Sequence, residues 1–453
     1  MKRVLEPRAL AAFTGELLHP GDDGYDEARH VHNGMIDKRP ALIARCRSAA
    51  DIAAAVVYAV ERGLEVSVRG GGHNVAGTAV TDGGVMIDLA PMRAIEVDPG
   101  ARRASVEGGA TWGELDAAAQ QHGLAVTGGM ISSTGIAGLT LGGGLGWLMG
   151  RYGLSCDNLV SAQVVLADGR IVTASEEQHP DLFWGLRGGG GNFGVVASFT
   201  YRLHTVGPLV TGIQGGYRWD AAADALRRYR EVMSSASDDL IANAALICDP
   251  DGARIAGVVG CHLGDAGAAE EELAPFRDLP GATEVSIAPV AYAELNSVLD
   301  AKYPRGALNY WKSTFLADLS DEVIAALVTH FETCPSPRTS MVLEHLHGAA
   351  TRVPADATAV PHRSPGYNLL LTSVWSDPAE SDENVAWTRQ VFAAMQPFSA
   401  GRTYSNYLAA EDLGGDAVVR AYGPNYQRLV EVKDAWDPTN LFRLNQNVRP
   451  NRS

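Results

Sequence analysis

Cysteine is scarce in this 453-residue chain, and what there is shows no pattern. Cys46, Cys156, Cys248, Cys261 and Cys334 are odd in number, scattered, and include no C-x-x-C pair. That excludes a disulfide framework and a cysteine-based zinc site, and it fits a reducing compartment. Long apolar runs are missing too. No stretch is long enough to span a bilayer, and residues 1–7 lack the apolar core of a secretory signal. The expectation is a soluble, cytoplasmic protein with no membrane partner. Basic residues are in the minority, 37 Lys and Arg against 53 Asp and Glu, for a net charge of −16. A chain so acidic has no surplus of cations for a phosphate backbone, so no nucleic-acid partner is expected. Neither H-E-x-x-H nor G-x-S-x-G occurs. Glu344-His345-Leu346-His347 lacks helical metal-ligand spacing, and its histidines read as lining a strand. No metal site is expected.

Glycine, by contrast, is abundant, with 50 residues concentrated near 69–77, 128–153 and 185–194. The first cluster is Arg69-Gly70-Gly71-Gly72-His73-Asn74-Val75-Ala76-Gly77. Without Cβ atoms, three consecutive glycines let backbone approach a bulky ligand, and their N–H groups can form an anion-binding nest. A histidine directly after the nest is held beside whatever the nest grips. The second cluster, Gly128-Gly129-Met130-Ile131-Ser132-Ser133-Thr134-Gly135-Ile136-Ala137-Gly138-Leu139, offers three hydroxyls to phosphate oxygens. It runs on into Gly142-Gly143-Gly144-Leu145-Gly146. Gly189-Gly190-Gly191-Asn192-Phe193-Gly194 matches G-x-G-x-x-G, but a helical pattern precedes it and a strand pattern follows. That order is the reverse of a Rossmann fingerprint.

The surrounding pattern mixes strands, helices and hairpins, an α+β signature rather than regular βαβ alternation. Asp51 is expected to cap a helix ending at Gly63, and Thr111 with Glu114 forms a capping box. Val160–Ala167 and Arg170–Ala174 read as a hairpin. After His204 the glycine clusters stop, and helical stretches such as 221–233 and 321–332 alternate with strand patterns at 241–247 and 369–374. The expected domains are 1–204, 205–403 and a closing segment 404–453, which carries a helix ended by Asp437-Pro438.

Taken together, these segments resemble the berberine-bridge-enzyme-like family of the vanillyl-alcohol oxidase superfamily. The resemblance rests on Arg69–Gly77, Gly135–Gly146, Tyr152-Gly153-Leu154-Ser155-Cys156-Asp157-Asn158, Asp181–Val196, Tyr404-Ser405-Asn406-Tyr407 and the run from Tyr422 to Asn447. It implies a two-part FAD-binding domain of PCMH type, closed by the C-terminal segment, and a central substrate domain whose antiparallel sheet is backed by helices. It also implies FAD bound covalently through His73. Some relatives add a cysteine tether at the position of Met130 or Ile131; neither is a thiol, so His73 is expected to be the single tether. The implied cofactor set is Arg69, Gly70, Gly71, Gly72, Asn74, Val75, Gly77, Gly129, Ser132, Ser133, Thr134, Gly135, Gly138, Leu139, Gly142, Gly143, Gly144, Gly146, Asp157, Asn158, Gly194, Val195, Val196, Asn406, Asn445 and Asn447.

The implied reaction removes a hydride from a small-molecule alcohol, a sugar or secondary metabolite, with dioxygen as the final acceptor and hydrogen peroxide as product. A C–N oxidase acting on nicotine-like amines, a dehydrogenase that avoids oxygen, and a flavin binder without turnover are the alternatives. Relatives use a tyrosine base in the segment matching 404–407. In an extended strand Tyr404 and Asn406 would face one way and Tyr407 the other. Tyr407 is the first choice as base and Tyr404 the second, with plain packing as the competing reading. A phenol needs a cationic neighbour to act as base, and Lys312 or Arg352 is the candidate. Tyr310, Trp311, Lys312 and Arg352 are expected around the substrate. The glutamate base of plant relatives would fall near Ala357, which makes that mechanism doubtful. The chain is expected to be a monomer or homodimer.

Overall fold

The computed structural model describes residues 8–451. Its first sheet has four strands in the order Glu16–Leu18, Leu42–Arg45, Val85–Asp88, Val66–Arg69. The last three run parallel, and every residue of Val85–Asp88 is buried between its neighbours. The crossover helix Ala49–Arg62 is capped by Ser48, whose side chain accepts from Asp51 N, and it ends at left-handed Gly63. Asp51 is therefore not the cap. Its carboxylate turns back to accept from Thr14 N at 2.7 Å and Arg47 N at 2.9 Å. Strand Val66–Arg69 then delivers the chain directly into the first glycine cluster.

The second sheet is antiparallel, in the order Ile95–Asp98, Arg103–Glu107, Val195–Arg202, Leu159–Val165, Ile171–Ser175. Its last two strands are the expected hairpin. Helix Trp112–Gln120 opens on the expected box, with the Glu114 carboxylate accepting from Thr111 N and Oγ1, both at 2.9 Å. Around G-x-G-x-x-G, helix Pro180–Leu186 precedes and strand Val195–Arg202 follows, in the order expected from the sequence.

A seven-stranded antiparallel sheet follows, ordered Ala282–Ala291, Leu209–Arg218, Arg254–His262, Leu240–Cys248, Ser340–Leu346, Gly366–Trp375, Leu308–Leu316. Alternation gives it two unlike faces. Ala244, Leu246, Met341, Leu343, Leu369 and Leu371 pack into a core with helices Ala222–Met233, Asp321–Phe331 and Ser381–Met395. The intervening residues look the other way, towards the glycine clusters.

The chain then returns. Helix Tyr426–Trp436 buries Leu429, Val430 and Val432 in the same core as Trp112, Phe199 and Tyr201. Lys433, wholly buried, pairs with Asp437 at 2.7 Å and donates to Asn192 O at 2.7 Å. Asn192 in turn holds Gln446 O and Val448 N. A buried cation satisfied on this many sides fixes the C-terminal tail against the 189–194 loop. No described helix is long and apolar enough to cross a membrane.

Candidate active site

Between the glycine clusters and the inner face of the seven-stranded sheet lies a cavity of about 800 Å³. That is near the upper end for small-molecule sites. Gly70–Asn74, Gly129, Thr134, Gly135, Gly138, Leu139, Gly194–Val196, Asn406, Tyr407 and Asn445 line it. The first two clusters meet at Gly71 and Gly135, where a Cβ on either would overlap the other's backbone nitrogen. Glycine is required there by contact between two loops.

The other members of the expected set lie behind this wall. Arg69 makes a two-pronged ion pair with buried Asp88, at 2.9 and 2.7 Å, and donates to His30 O. All three of its guanidinium nitrogens are engaged in holding the loop. Val75 O accepts from Asn33, and Gly77 O from Lys38. Ser132 gives its N and Oγ to Asp300, while Ser133 Oγ and Thr134 Oγ1 lie 3.0 and 3.4 Å from the His73 ring nitrogens. Each of the three hydroxyls thus has a partner within the chain. Gly142 abuts Asn406, Gly144 N donates to Tyr404 at 2.8 Å, Gly143 packs near Val360 and Gly146 against Gly128. Asp157 pairs with buried Arg363 at 2.8 and 2.7 Å. Asn158 bridges Tyr152 O, Leu154 O and His204. Asn447 lies off the cavity, although its Oδ1 is buried and has no partner among the described residues.

His73 stacks on His32 with ring centroids 4.0 Å apart. Desolvation, aided by His32 and Arg305, lowers its pKa to about 3, so the imidazole is neutral at any physiological pH. An FAD-sized group fits this wall. Glycines supply open backbone, the buried Asn445 Oδ1 has no partner among the described residues, and a neutral imidazole stands in the lining.

Opposite this wall the sheet presents Ser340, Val342 and Glu344 at alternate positions of one strand. Glu344 was not among the residues expected from the sequence. It is 4% exposed, accepts from Asn368 Nδ2 at 2.6 Å on one oxygen and from the Tyr407 hydroxyl at 3.1 Å on the other. Burial raises its pKa to about 7. The same enclosure and the carboxylate's charge push Tyr407 well above an ordinary phenol. Trp311 and Tyr303 continue the wall, with Trp311 edge-on to both Tyr407 and Tyr303.

Several expectations are corrected by this geometry. Residues 405–407 form a turn of 3-10 helix rather than a strand, and residues three apart then share a face. Tyr404 and Tyr407 accordingly stand edge to face at 4.9 Å instead of pointing apart. Tyr404 lies behind the lining, its oxygen accepting from Gly144 N and Asn406 Nδ2. Tyr310 and Lys312 occupy the opposite strand face from Trp311. Tyr310 bonds Glu411, and Lys312 pairs with Glu411 and Asp412. Arg352 pairs with Asp238 on the surface. Among the described residues the charged group that acts on Tyr407 is an acid, Glu344, and no cation attends it. Ala357 lies outside the cavity, whose lining glutamates are Glu344, which is buried, and Glu284, which is exposed.

The chain is similar to known proteins in sequence and fold. A family model described as an FAD binding domain matches residues 40–175, and one described as berberine and berberine like matches residues 403–449. The (R)-6-hydroxynicotine oxidase of Paenarthrobacter nicotinovorans is 34% identical over 457 residues, covering 98% of each chain. The crystal structure of 6-hydroxy-D-nicotine oxidase from Arthrobacter nicotinovorans matches with a TM-score of 0.89 at 32% identity, over 98% of this chain and 99% of that one. Xylooligosaccharide oxidase from Myceliophthora thermophila C1, in complex with xylobiose, matches at 0.83 and 26% identity, over 96% and 97%. On the glycine-lined cavity, the returning tail and these likenesses, the chain belongs to the berberine-bridge-enzyme-like family of FAD-linked oxidoreductases.

Proposed function

We propose that the protein is an oxidase of small-molecule alcohols, with FAD joined to His73 alone and Glu344 as the base. Residues 1–204 and 404–453 form the flavin-binding unit in this reading, and 205–403 the cover. The observation that carries it is the Glu344–Tyr407 pair, set in the lining of the cavity that His73 also lines. FAD, when bound, takes the two electrons and hydrogen of a C–H bond and yields the electrons to dioxygen as peroxide. The chain supplies position and proton transfer. Glu344, its pKa raised to about 7 by burial, can be a carboxylate near neutrality and take the proton of a substrate hydroxyl. Tyr407 keeps its proton and steadies the carboxylate. Trp311, Val342 and Leu370 present apolar surface that keeps water from the reacting carbon.

His73 is suited to be the tether because its neutral ring keeps a lone pair on one nitrogen, which must part from its neighbouring hydroxyl, Ser133 or Thr134, to meet the flavin. The linkage would form one C–N bond at the expense of one methyl C–H and the imidazole N–H, and the two protons and two electrons released would reduce dioxygen to hydrogen peroxide. Acid precipitation tests it: the pellet should stay yellow, and His73→Ala should release the flavin to the supernatant.

Amine oxidation is the second reading. It is favoured by the 34% identity to (R)-6-hydroxynicotine oxidase and by Glu344, whose carboxylate could equally accept an amine proton. Stopped-flow bleaching of the flavin against panels of alcohols, sugars and amines separates the two. Peroxide release with the active substrate separates an oxidase from a dehydrogenase.

A further inference from the structure

We propose that His32 is a positioning residue for flavin attachment: its ring backs His73 and holds that imidazole at the angle the linkage requires. The proposal rests on the covalent reading of His73 and extends it to a residue with no part in the glycine motif.

The stack is built rather than incidental. The two rings lie 4.0 Å apart and 22° from parallel, and His32 is 4% exposed. Its backbone is pinned on both sides, His32 N donating to Gly72 O at 3.0 Å and His32 O accepting from Gly306 N at 2.9 Å. Its neighbours are pinned as well. His30 O accepts from Arg69 and Arg305, and Asn33 Nδ2 bridges Val75 O and Asn309 O, both at 2.9 Å. Residues 30–33 thus buckle the glycine loop to the cover, with His32 at the centre.

His32 gains little else from being a histidine. Its buried Nε2 has no hydrogen-bond partner among the described residues. Desolvation and Arg305 hold its pKa at about 4, so it is neutral beside a neutral His73. What it offers His73 is a flat face. Against that face the His73 ring is confined, while Ser133 and Thr134 sit at its two nitrogens. A ring restrained on one face and at both nitrogens has few orientations left, and bond formation is steeply sensitive to such alignment.

The test uses full-length apoprotein from riboflavin-limited cells. FAD is added, samples are acid-quenched over time, and flavin fluorescence of the washed pellet is read. Non-covalent FAD binding is measured in parallel, so that a folding defect is seen separately. His32→Ala should bind FAD to the same stoichiometry but attach it at least ~10-fold more slowly. His32→Phe, which restores a flat face without nitrogens, should attach it within about 3-fold of wild type, on the same alignment argument. Attachment by His32→Ala at the wild-type rate overturns the proposal. So does His32→Phe being as slow as His32→Ala while binding FAD normally. A colourless wild-type pellet would overturn the covalent reading itself, an outcome distinct from a labelled wild type with a fully labelled His32→Ala.

Discussion

Tyr407 donates its hydroxyl to Glu344 at 3.1 Å, and the pair joins a loop of the C-terminal segment to the central sheet. The acid in this pair has its pKa raised to about 7, while the phenol is held well above its ordinary range. Of the two, only Glu344 changes charge near neutrality, which decides which can act as a base there.

With Glu344 as the proposed base, the rate of flavin bleaching by saturating substrate should rise through about pH 7 and level off above it, because only the ionised carboxylate can accept a proton. Glu344→Gln should lower the plateau by roughly 10²-fold or more and remove this pH limb. Stopped-flow traces from pH 5 to 9 check both. An unchanged profile in Glu344→Gln would assign the proton to another group.

The two tyrosines should behave differently. Tyr407→Phe removes a hydrogen bond that favours the Glu344 anion, so the pH limb should move upward and the rate at pH 7 fall by about tenfold. Tyr404→Phe strands the buried Gly144 N–H, so it should cost about 1–3 kcal/mol in stability while leaving the bleaching rate of folded enzyme nearly intact. Denaturant melts alongside stopped-flow traces distinguish these results.

Why Tyr407 was legible and Glu344 was not has a physical reason. The glycine clusters announce themselves because only a ligand or a second backbone explains such density, and Gly71 against Gly135 is a case of the second. A lone glutamate in Glu344-His345-Leu346-His347 carries no such mark. It gains its role from a strand partner 24 residues away, Asn368, and from Tyr407, 63 residues away. Tyr310-Trp311-Lys312 could have been sorted from the sequence, since a strand cannot aim three consecutive side chains into one cavity. The turn at 405–407 could not, because Tyr-Ser-Asn-Tyr is compatible with strand or 3-10 helix until tertiary contacts choose.

A second buried acid reports on stability rather than catalysis. Asp116 is 1% exposed, accepts from Asn296 Nδ2 at 2.5 Å, and has its pKa raised to about 7 by burial. The native state holds this proton across a window, from about pH 4 to 7, in which the unfolded chain has lost it. Its contribution to stability therefore falls as pH rises through that window. Asp116→Asn removes the titration and can offer an N–H to Asn296 Oδ1, which has no partner among the described residues. Its Tm should match or lie near wild type at pH 5 and exceed it at pH 8 by about 2–4 °C. Calorimetry at the two pH values checks the difference. Equal gaps at both would mean that Asp116 does not titrate in this range.

Gly71→Ala probes the contact on which the cofactor wall depends. The added Cβ would overlap Gly135 N and Cα, both backbone atoms that cannot rotate aside, so the two loops must separate. Overpacking of this kind costs about 1–3 kcal/mol. The strain falls on loops rather than on the sheets, since Gly71 follows strand Val66–Arg69 and Gly135 precedes helix Ile136–Leu141. The fold should therefore survive and the site should not. Separation would carry His73 away from Ser133 and Thr134, which stand beside Gly135 in the chain. FAD retention through gel filtration should drop by roughly tenfold or more, with far-ultraviolet circular dichroism unchanged. Gly138→Ala is the control, because a Cβ there meets nothing within 4 Å although the residue lines the same cavity. Equal flavin loss in both variants would mean that glycine at these positions serves the cofactor directly, and that the loop-to-loop contact is incidental.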